Sequence, residues 1–215
     1  DLHLSIRRQR QMCIRDSAYT DHYYKRFLQF MDEPAITSKD IVMLGNSLTE
    51  GGGDWSARLG KKNVRNRGII GDEVMGIYDR LHQILPGHPA KLFLLIGVND
   101  ISHNLTSDSI VSMIRMTIER IRKESPDTKL YLQSLLPFNE SFGRYKSLTG
   151  KTDMVPEVNA RLEALAKEKD IAYINLFPLF TEKGTNVLRS ELTGDGLHLN
   201  EDGYRIWVKA IKKKI

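Results

Sequence analysis

Short apolar runs alternate with longer amphipathic stretches over most of the chain. The short runs contain branched aliphatic residues and are too brief for helices, a pattern typical of buried strands. They are residues 41–44, 64–67, 92–96, 130–135 and 172–174. Strands that alternate with helices favour a parallel sheet with helices on both faces. Ligands of such sheets bind beyond the carboxyl ends of the strands, so the pattern predicts an α/β domain and the edge on which its site lies.

Helical periodicity marks the segments between and around these runs. Tyr19, Tyr23, Phe27 and Met31 form an apolar stripe, and Pro34 ends the helix that it predicts. Residues 73–85 and 201–213 are also predicted as helices. A third helix would be capped by Ser107 and has apolar positions at Ile110, Ile114, Ile118 and Ile121. A fourth would have Pro156 in its first turn.

One irregular stretch, residues 138–152, interrupts this alternation. It contains Gly143 and Gly150, and a loop of this length is often a binding loop or a lid.

The chain shows no internal repeat, linker or low-complexity tract, so we expect a single domain over residues 18–215.

Residues 1–17 follow neither a helical nor a strand period, and they lack the apolar core of a signal peptide. They resemble translated sequencing-adapter sequence, the alternative being a native flexible tail. We exclude them from the fold prediction. If they are not native, the true start is missing from this sequence, and an export signal could be missing with it.

The composition is that of an ordinary globular domain, with 40% apolar and 27% charged residues among 215. No apolar run reaches the roughly 18 residues that a membrane-spanning helix needs, so we expect no integral membrane association.

The single cysteine, Cys13, cannot form an internal disulfide. No His, Cys and Asp residues are spaced as metal ligands, so no metal is expected.

The net charge of +5 and the pI of about 9.2 could indicate an anionic partner such as nucleic acid or a lipid surface. The charge has a simpler interpretation, because residues 1–17 carry part of it. Lys212, Lys213 and Lys214 end the last predicted helix, where cations complement the negative end of the helix dipole. No base-stacking or groove-reading motif accompanies the charge, so nucleic-acid binding is not expected.

A serine stands in a glycine-flanked turn directly after the first predicted strand. The segment is GNSLTEG, residues 45–51, with Ser47 at its third position. A strand-to-helix turn of this kind presents the serine hydroxyl and its own N–H group at the edge of the sheet. Taken alone, the segment fits a phosphate-type or purely structural turn better than a nucleophile.

An acid and a base lie three residues apart just before the last predicted helix. In the segment DGLHLN, residues 195–200, one short turn can bring the carboxylate of Asp195 to the imidazole of His198. The carboxylate would fix the tautomer of the imidazole, leaving the other ring nitrogen to accept a serine proton. On its own the segment fits a helix-capping aspartate and a surface histidine better than a catalytic pair.

Two further segments follow predicted strands and could supply hydrogen-bond donors. Asn99, in GVND at residues 97–100, could offer its side-chain N–H groups to a developing oxyanion. Gly71, in GIIGD at residues 68–72, could let a backbone N–H approach the same oxyanion. A turn-forming asparagine and a plain turn glycine are the alternatives.

Together the four segments are a strong indication of one shared site, because a doubly wound sheet brings the carboxyl ends of its strands together. Their order resembles that of the SGNH (GDSL) hydrolase superfamily over residues 40–212, in particular its branch of platelet-activating-factor acetylhydrolase-like and carbohydrate O-acetylesterase proteins. The resemblance implies Ser47, Gly71, Asn99 and His198 as the four signature residues, with Asp195 as the acid of a catalytic triad.

The resemblance also implies a fold and an activity. The fold is a flavodoxin-like three-layer sandwich around a five-stranded parallel sheet, and the activity is ester hydrolysis without a metal or an organic cofactor. The oxyanion would be held by the N–H groups of Ser47 and Gly71 and by the amide of Asn99. One departure is Asn46, which stands where the family usually has an aspartate that is not the triad acid.

Substrate contacts are predicted at the neighbours of these residues, Leu48, Val98, His103 and Leu197. For His103 a solvated loop histidine is the alternative. The branch favours a short acyl group, often acetyl, and the predicted substrate is a small-molecule ester, first of all an O-acetylated sugar whose alcohol side residues 138–152 would shape.

A lysophospholipase or thioesterase is the alternative activity, and it would need a longer apolar trough. A carbohydrate-binding relative that has lost catalysis is a further alternative, although Ser47, Asp195 and His198 are all present. A flavodoxin-type nucleotide binder is disfavoured, since it has no use for the DGLH segment.

Overall fold

The computed structural model describes residues 19–215, and the predictions for residues 1–17, including Cys13, lie outside this part. Five parallel strands form one sheet in the order β2-β1-β3-β4-β5. The strands are β1 Ile41–Gly45, β2 Val64–Gly68, β3 Lys91–Leu95, β4 Lys129–Gln133 and β5 Ala172–Ile174. All five strands were predicted, and the flavodoxin-like fold class is confirmed.

Helices cover both faces of this sheet. They are α1 Asp21–Asp32, α2 Ser47–Gly51, α3 Trp55–Leu59, α4 Val74–Arg80, α5 Val98–Ser102, α6 Ser107–Glu124, α7 Met154–Glu168 and α8 Glu201–Ile211. The helix predicted over residues 73–85 ends at Arg80 and continues as two short 3-10 turns, and Lys212–Lys214 form another such turn after α8.

One predicted helix cap is wrong by a residue. Thr106, not Ser107, caps α6, because Thr106 has an extended backbone and its hydroxyl accepts a hydrogen bond from the N–H of Ser109 at 3.2 Å. Ser107 is the first helical residue and is buried. Thr106 thus satisfies one of the N–H groups that the first turn leaves unpaired.

The core has two halves, one on each face of the sheet. Val42 and Leu44 belong to the half covered by α4, α6 and α7, whereas Ile41 and Met43 belong to the half covered by α3 and α8. This alternation follows from the two-residue period of a strand. In the second half Trp55 and Trp207 are fully buried with ring centroids 5.1 Å apart, as packing residues.

The helix that begins with Ser47 lies directly against the strand ends. A Cβ atom on Gly68 would lie 2.1 Å from the backbone nitrogen of Glu50, and one on Gly45 would lie 2.2 Å from Oγ1 of Thr49, both of them atoms of α2. Real Cβ atoms do not come so close to other heavy atoms. Glycine at both positions therefore lets α2 sit on the carboxyl ends of β1 and β2.

Within residues 19–215, no helix combines the length and the apolar character needed to cross a bilayer.

Candidate active site

Ser47 is placed by the junction between β1 and α2. Asn46 caps the helix, and its Oδ1 atom accepts a hydrogen bond from the N–H of Leu48 at 3.1 Å. Ser47 is the first residue of α2, so its own N–H lies in the first turn, where no helical carbonyl can pair with it. The residue is 6% exposed. The junction thus holds a nearly buried hydroxyl beside a backbone N–H that the helix itself leaves without an acceptor.

Asp195 and His198 belong to one tight turn before α8. The Oδ1 atom of Asp195 accepts hydrogen bonds from the N–H groups of Leu197 and His198, at 2.9 and 2.8 Å. The Oδ2 atom lies 2.8 Å from Nδ1 of His198. Thr193 closes the turn by donating its hydroxyl to the carbonyl of His198 at 2.7 Å. The three-residue spacing therefore brings the carboxylate within hydrogen-bond distance of the imidazole.

The turn and the junction meet across the edge of the sheet. Nε2 of His198 lies 2.9 Å from Oγ of Ser47, although the two residues are 151 positions apart. With the carboxylate of Asp195 on Nδ1, the favoured tautomer carries its proton there and turns the Nε2 lone pair toward the serine hydroxyl. Asp195, His198 and Ser47 thus form one continuous hydrogen-bonded chain.

Hydrogen bonding keeps Asp195 ionised. Burial acts to raise the pKa of this carboxyl, but the hydrogen bonds from the His198 side chain, the two backbone N–H groups and Tyr145 outweigh it and hold the pKa well below the usual range. The carboxylate is therefore charged at neutral pH and can stabilise a protonated imidazole beside it.

The loop after β2 carries Gly71 and is hydrogen-bonded to the elements around Ser47. Gly71 has a φ of +80°, a conformation that favours glycine. The preceding N–H of Ile70 donates to the carboxylate of Glu50 in α2 at 2.6 Å, and the N–H of Ile69 donates to the carbonyl of Gly45 at 3.2 Å. These contacts hold the loop against the helix that carries Ser47.

Asn99 lies in α5, directly after β3, and contacts the same loop. Its Nδ2 atom donates a hydrogen bond to the carbonyl of Asp72 at 2.8 Å. An amide nitrogen carries two protons, so one remains for another acceptor. The sequence placed Gly71 and Asn99 on separate segments, and the structure links them through Asp72.

Buried charges lie behind this loop. The carboxylate of Asp72 accepts hydrogen bonds from Nε and Nη2 of Arg80 at 2.9 and 2.7 Å, and both side chains are fully buried. Burial nevertheless raises the pKa of Asp72 to about 6. Burial, reinforced by the charge of Glu73, raises the pKa of Asp100 to about 7. Ionisation of Asp100 therefore opposes folding.

Tyr145 is a site residue that the sequence did not indicate. Its hydroxyl donates to Oδ2 of Asp195 at 2.8 Å and lies 3.0 Å from Nδ1 of His198. Burial, and then the hydrogen bond to Asp195, raises the pKa of Tyr145. The residue belongs to the predicted loop of residues 138–152, where no periodic pattern shows which side chain turns inward.

The same loop also reaches the other side of the site. Nζ of Lys151 donates hydrogen bonds to the carbonyls of Ile101 and Ser102, at 2.9 and 3.4 Å, in the helix that carries Asn99. At its first end, the N–H of Asn139 donates to the carbonyl of Gly196 at 2.7 Å, within the turn of Asp195 and His198. The loop therefore connects the two sides of the site.

Helix α1 contributes a contact that sequence reasoning also missed. Nε2 of His22 lies 3.0 Å from the carboxylate of Glu50, and Nε of Arg26 lies 3.4 Å from it. Glu50 in turn holds the N–H of Ile70, next to Gly71. The amphipathic pattern predicted α1 but could not show that its polar face reaches the loop of Gly71.

The predicted substrate contacts lie in two environments. Leu48, Val98 and Leu197 are at most 7% exposed, and their side chains belong to the core. His103 is exposed and pairs with Glu73. It lines a cleft of about 340 Å³ together with Tyr19, Thr20, Tyr23, Ile70, Gly71 and Glu73. A role of these four residues in substrate contact stays a prediction.

No group of three or more His, Cys, Asp or Glu residues is arranged to hold a metal ion in the part of the chain that the structure describes.

Comparison with known proteins identifies a family profile. Residues 43–206 match the GDSL-like lipase/acylhydrolase family. No curated protein sequence matches the chain significantly.

Solved structures share the fold over nearly the whole chain. A Streptococcus pneumonia protein, provisionally described as a platelet activating factor, is 24% identical with a TM-score of 0.81, over 90% of this chain and 92% of its own. A GDSL-like lipase from Bacteroides thetaiotaomicron VPI-5482 is 25% identical with a TM-score of 0.78, over 89% and 96%. An acetyl xylan esterase is 20% identical with a TM-score of 0.66, over 82% and 99%.

The buried carboxyl of Asp100 gives a pH dependence that can be measured. Its folded-state pKa of about 7 lies above the ordinary 3.8, so its favourable contribution is complete below about pH 4 and is lost as the pH rises through 7. We expect the wild type to lose about 2 kcal/mol more unfolding free energy than Asp100→Asn between pH 5 and pH 8. Urea titrations at each pH measure this.

The exposed Asp127→Asn variant is the control and should keep the wild-type pH profile. Parallel profiles for the wild type and Asp100→Asn would contradict the assignment.

Proposed function

The chain belongs to the GDSL-like lipase/acylhydrolase family, and on that premise we propose that it is a serine ester hydrolase with Ser47 as nucleophile, His198 as general base and Asp195 as the acid of the triad. The observation that carries this proposal is the continuous hydrogen-bonded chain from Asp195 through His198 to Ser47. Its order and distances are those that activate a serine hydroxyl.

In the first step Oγ of Ser47 attacks the ester carbonyl carbon, and its proton passes to Nε2 of His198. The carbonyl becomes a tetrahedral oxyanion, while the ionised carboxylate of Asp195 stabilises the imidazolium. Since hydrogen bonds keep Asp195 charged, this stabilisation is in place before the reaction begins.

Three donors are available for the oxyanion. They are the N–H groups of Ser47 and Gly71 and the second Nδ2 proton of Asn99, whose first proton is held by the carbonyl of Asp72. Fixed donors of this kind stabilise the transition state because they need not reorganise as the charge develops.

The intermediate then collapses, and the ester C–O bond breaks. Nε2 of His198 gives its proton to the leaving alcohol, and Ser47 remains acylated. A water molecule next gives a proton to His198 as it attacks the acyl carbon, and the second collapse returns the proton to Oγ and releases the carboxylic acid.

We propose an acetyl ester of a carbohydrate as the substrate. The similar fold of an acetyl xylan esterase supports this choice. So does the cleft beside Gly71, because 340 Å³ is near the lower end of the range of about 300–1,000 Å³ for ligand pockets, and the exposed His103–Glu73 pair lies in its wall. A long acyl chain would need a longer apolar trough.

A lipid acyl hydrolase, of the lysophospholipase or thioesterase type, is the second candidate. Ile70, next to Gly71, is 50% exposed, and Phe142 in the loop of residues 138–152 is 40% exposed. Apolar side chains at these positions would suit an acyl chain better than a sugar.

Acyl-chain selectivity separates the two candidates. We expect the wild type to hydrolyse p-nitrophenyl acetate with a kcat/KM at least about tenfold above that for the octanoate, a difference of about 1.4 kcal/mol in transition-state binding. Acetate release from acetylated xylooligosaccharides, measured by an enzyme-coupled assay, should follow the same preference. A higher kcat/KM on the octanoate would favour the lipid hydrolase.

Replacement of the nucleophile tests the reaction itself. We expect Ser47→Ala to lower kcat on p-nitrophenyl acetate by at least about 10⁴-fold and to abolish labelling by a fluorophosphonate probe. The exposed Ser112→Ala in α6 is the matched control and should retain both properties. Wild-type rates in Ser47→Ala, or no labelling of the wild type, would contradict the assignment, and the second result would favour a carbohydrate-binding protein without activity.

Tyr145→Phe tests whether the tyrosine tunes the base. Without the hydroxyl, Asp195 loses a donor and attracts a protonated His198 more strongly, so we expect the acidic limb of the kcat/KM profile to move up by roughly half a pH unit. Tyr173→Phe is the control, because that hydroxyl donates to the carbonyl of Asn159, at 3.1 Å, and makes no hydrogen bond to Asp195 or His198. A limb that stays at the wild-type pH would leave Tyr145 with a purely structural role.

A further inference from the structure

A groove of about 480 Å³ runs between α3 and α8. One wall is Arg58 of α3, and the rest follows α8 into the turn Lys212–Lys214. The lining residues are Arg58, Glu201, Arg205, Val208, Lys209, Lys212 and Lys213. Five of these seven side chains are cationic and one is anionic, so the groove carries a clear excess of positive charge.

Neighbouring carboxylates neutralise only part of this charge. Arg58 pairs with Glu201 at 2.7 Å, and Arg205 pairs with Asp202. Lys209, Lys212 and Lys213 are exposed and form no salt bridge with any carboxylate of residues 19–215. Three ammonium groups are therefore available to a ligand.

The cations are arranged in a line. Arg205, Lys209, Lys212 and Lys213 lie at helical spacings of four, seven and eight residues, on one face of α8 and its continuation. The rise over these eight residues is about 12 Å. The row therefore suits an extended ligand with repeated negative charges better than a single anion.

More cations lie near the far end of the row. Nζ of Lys91 donates a hydrogen bond to the carbonyl of Lys214 at 2.7 Å. Burial, and then the charges of Lys129 and Lys61, lowers the pKa of Lys91. These lysines extend the positive surface past the amino end of β3.

The helix dipole does not account for this arrangement. It favours cations only in the last turn of a helix, whereas Arg205 lies in the first half of α8 and Arg58 lies on another helix. The sequence interpretation of Lys212, Lys213 and Lys214 as dipole partners therefore explains only part of the row.

The groove begins beside the catalytic edge. Glu201, the first residue of α8, follows His198 by three positions, and Arg58 donates from Nε to the carbonyl of Gly52, at the end of the helix that carries Ser47. A chain-like ligand in the groove would thus start close to the triad and extend away from it along α8.

We infer that this groove binds a linear acidic polysaccharide, with carboxylates along the chain held by Lys209, Lys212 and Lys213. The assignment of that polymer as the acylated substrate rests on the proposed function. A nucleic acid fits less well, because the lining has no aromatic side chain for base stacking. A flat membrane fits less well, because the cations line a recess.

Binding to polygalacturonate is the direct test, measured by biolayer interferometry with the full-length Ser47→Ala protein so that no chemistry intervenes. We expect binding in 50 mM NaCl that weakens as salt is added, as screening requires, and none to dextran, a neutral polymer. Lys209→Glu/Lys212→Glu/Lys213→Glu should weaken binding by at least about tenfold. The corresponding triple Gln variant should give a smaller loss and serves if the Glu variant misfolds.

The matched control is Lys25→Glu/Lys167→Glu/Lys183→Glu, which makes the same change of net charge at exposed lysines elsewhere. It should bind within about twofold of the parent protein. Equal losses in the two triple variants, or no binding by the parent, would overturn the inference. Tighter binding to phosphatidylserine–phosphatidylcholine vesicles or to single-stranded DNA than to polygalacturonate would overturn the choice of ligand.

The two proposals fail separately. With Ser47 intact, the groove variants should hydrolyse p-nitrophenyl acetate at the wild-type rate, since none of the three lysines contacts the triad. Loss of polymer binding with normal hydrolysis would show that the groove binds the polymer. Absence of hydrolysis in the wild type would refute only the proposed function.

Discussion

The helix that carries Ser47 lies directly against the ends of two strands, and this close contact depends on Gly45 and Gly68. A methyl group at Gly68 would lie 2.1 Å from the backbone nitrogen of Glu50, and one at Gly45 would lie 2.2 Å from Oγ1 of Thr49, both in α2. With α2 so close to the sheet, the side chain of Glu50 reaches the loop of Gly71, and the hydroxyl of Ser47 meets the turn before α8. The other contacts of the site depend on this packing of α2 against the strand ends.

The sequence predicted the sheet, and it named most of the residues that the structure brings together at the candidate site, because the relevant signals are local. The strands other than β2, whose sequence is VRNRG, are short and largely apolar runs. Asp195 and His198 meet within one turn, so three residues of spacing suffice. Their convergence with Ser47 follows from the rule that strand ends of a parallel sheet share an edge. The resemblance to the SGNH (GDSL) superfamily is likewise confirmed, since its motifs are short and ordered.

The parts that sequence reasoning missed depend on side-chain direction in irregular or distant segments. Tyr145 lies in a loop without a period, so nothing distinguishes it from Arg144 or Lys146 until the loop is folded. His22 and Arg26 lie on the polar face of α1, which the hydrophobic pattern assigns to solvent. The cap of α6 was missed by one residue, because Thr106 and Ser107 both have hydroxyls and only backbone conformation decides between them.

Helix α1 has a consequence for how the family's domain should be understood in this chain. The residues that match the family begin at 43, after α1 has ended. Yet the carboxylate of Glu50, which holds the loop of Gly71, takes its own partners from His22 and Arg26. The segment that matches the family therefore depends on contacts from α1, which lies outside it. A lineage that altered only this preceding helix could move the loop of Gly71 relative to Ser47 while every motif residue stayed the same.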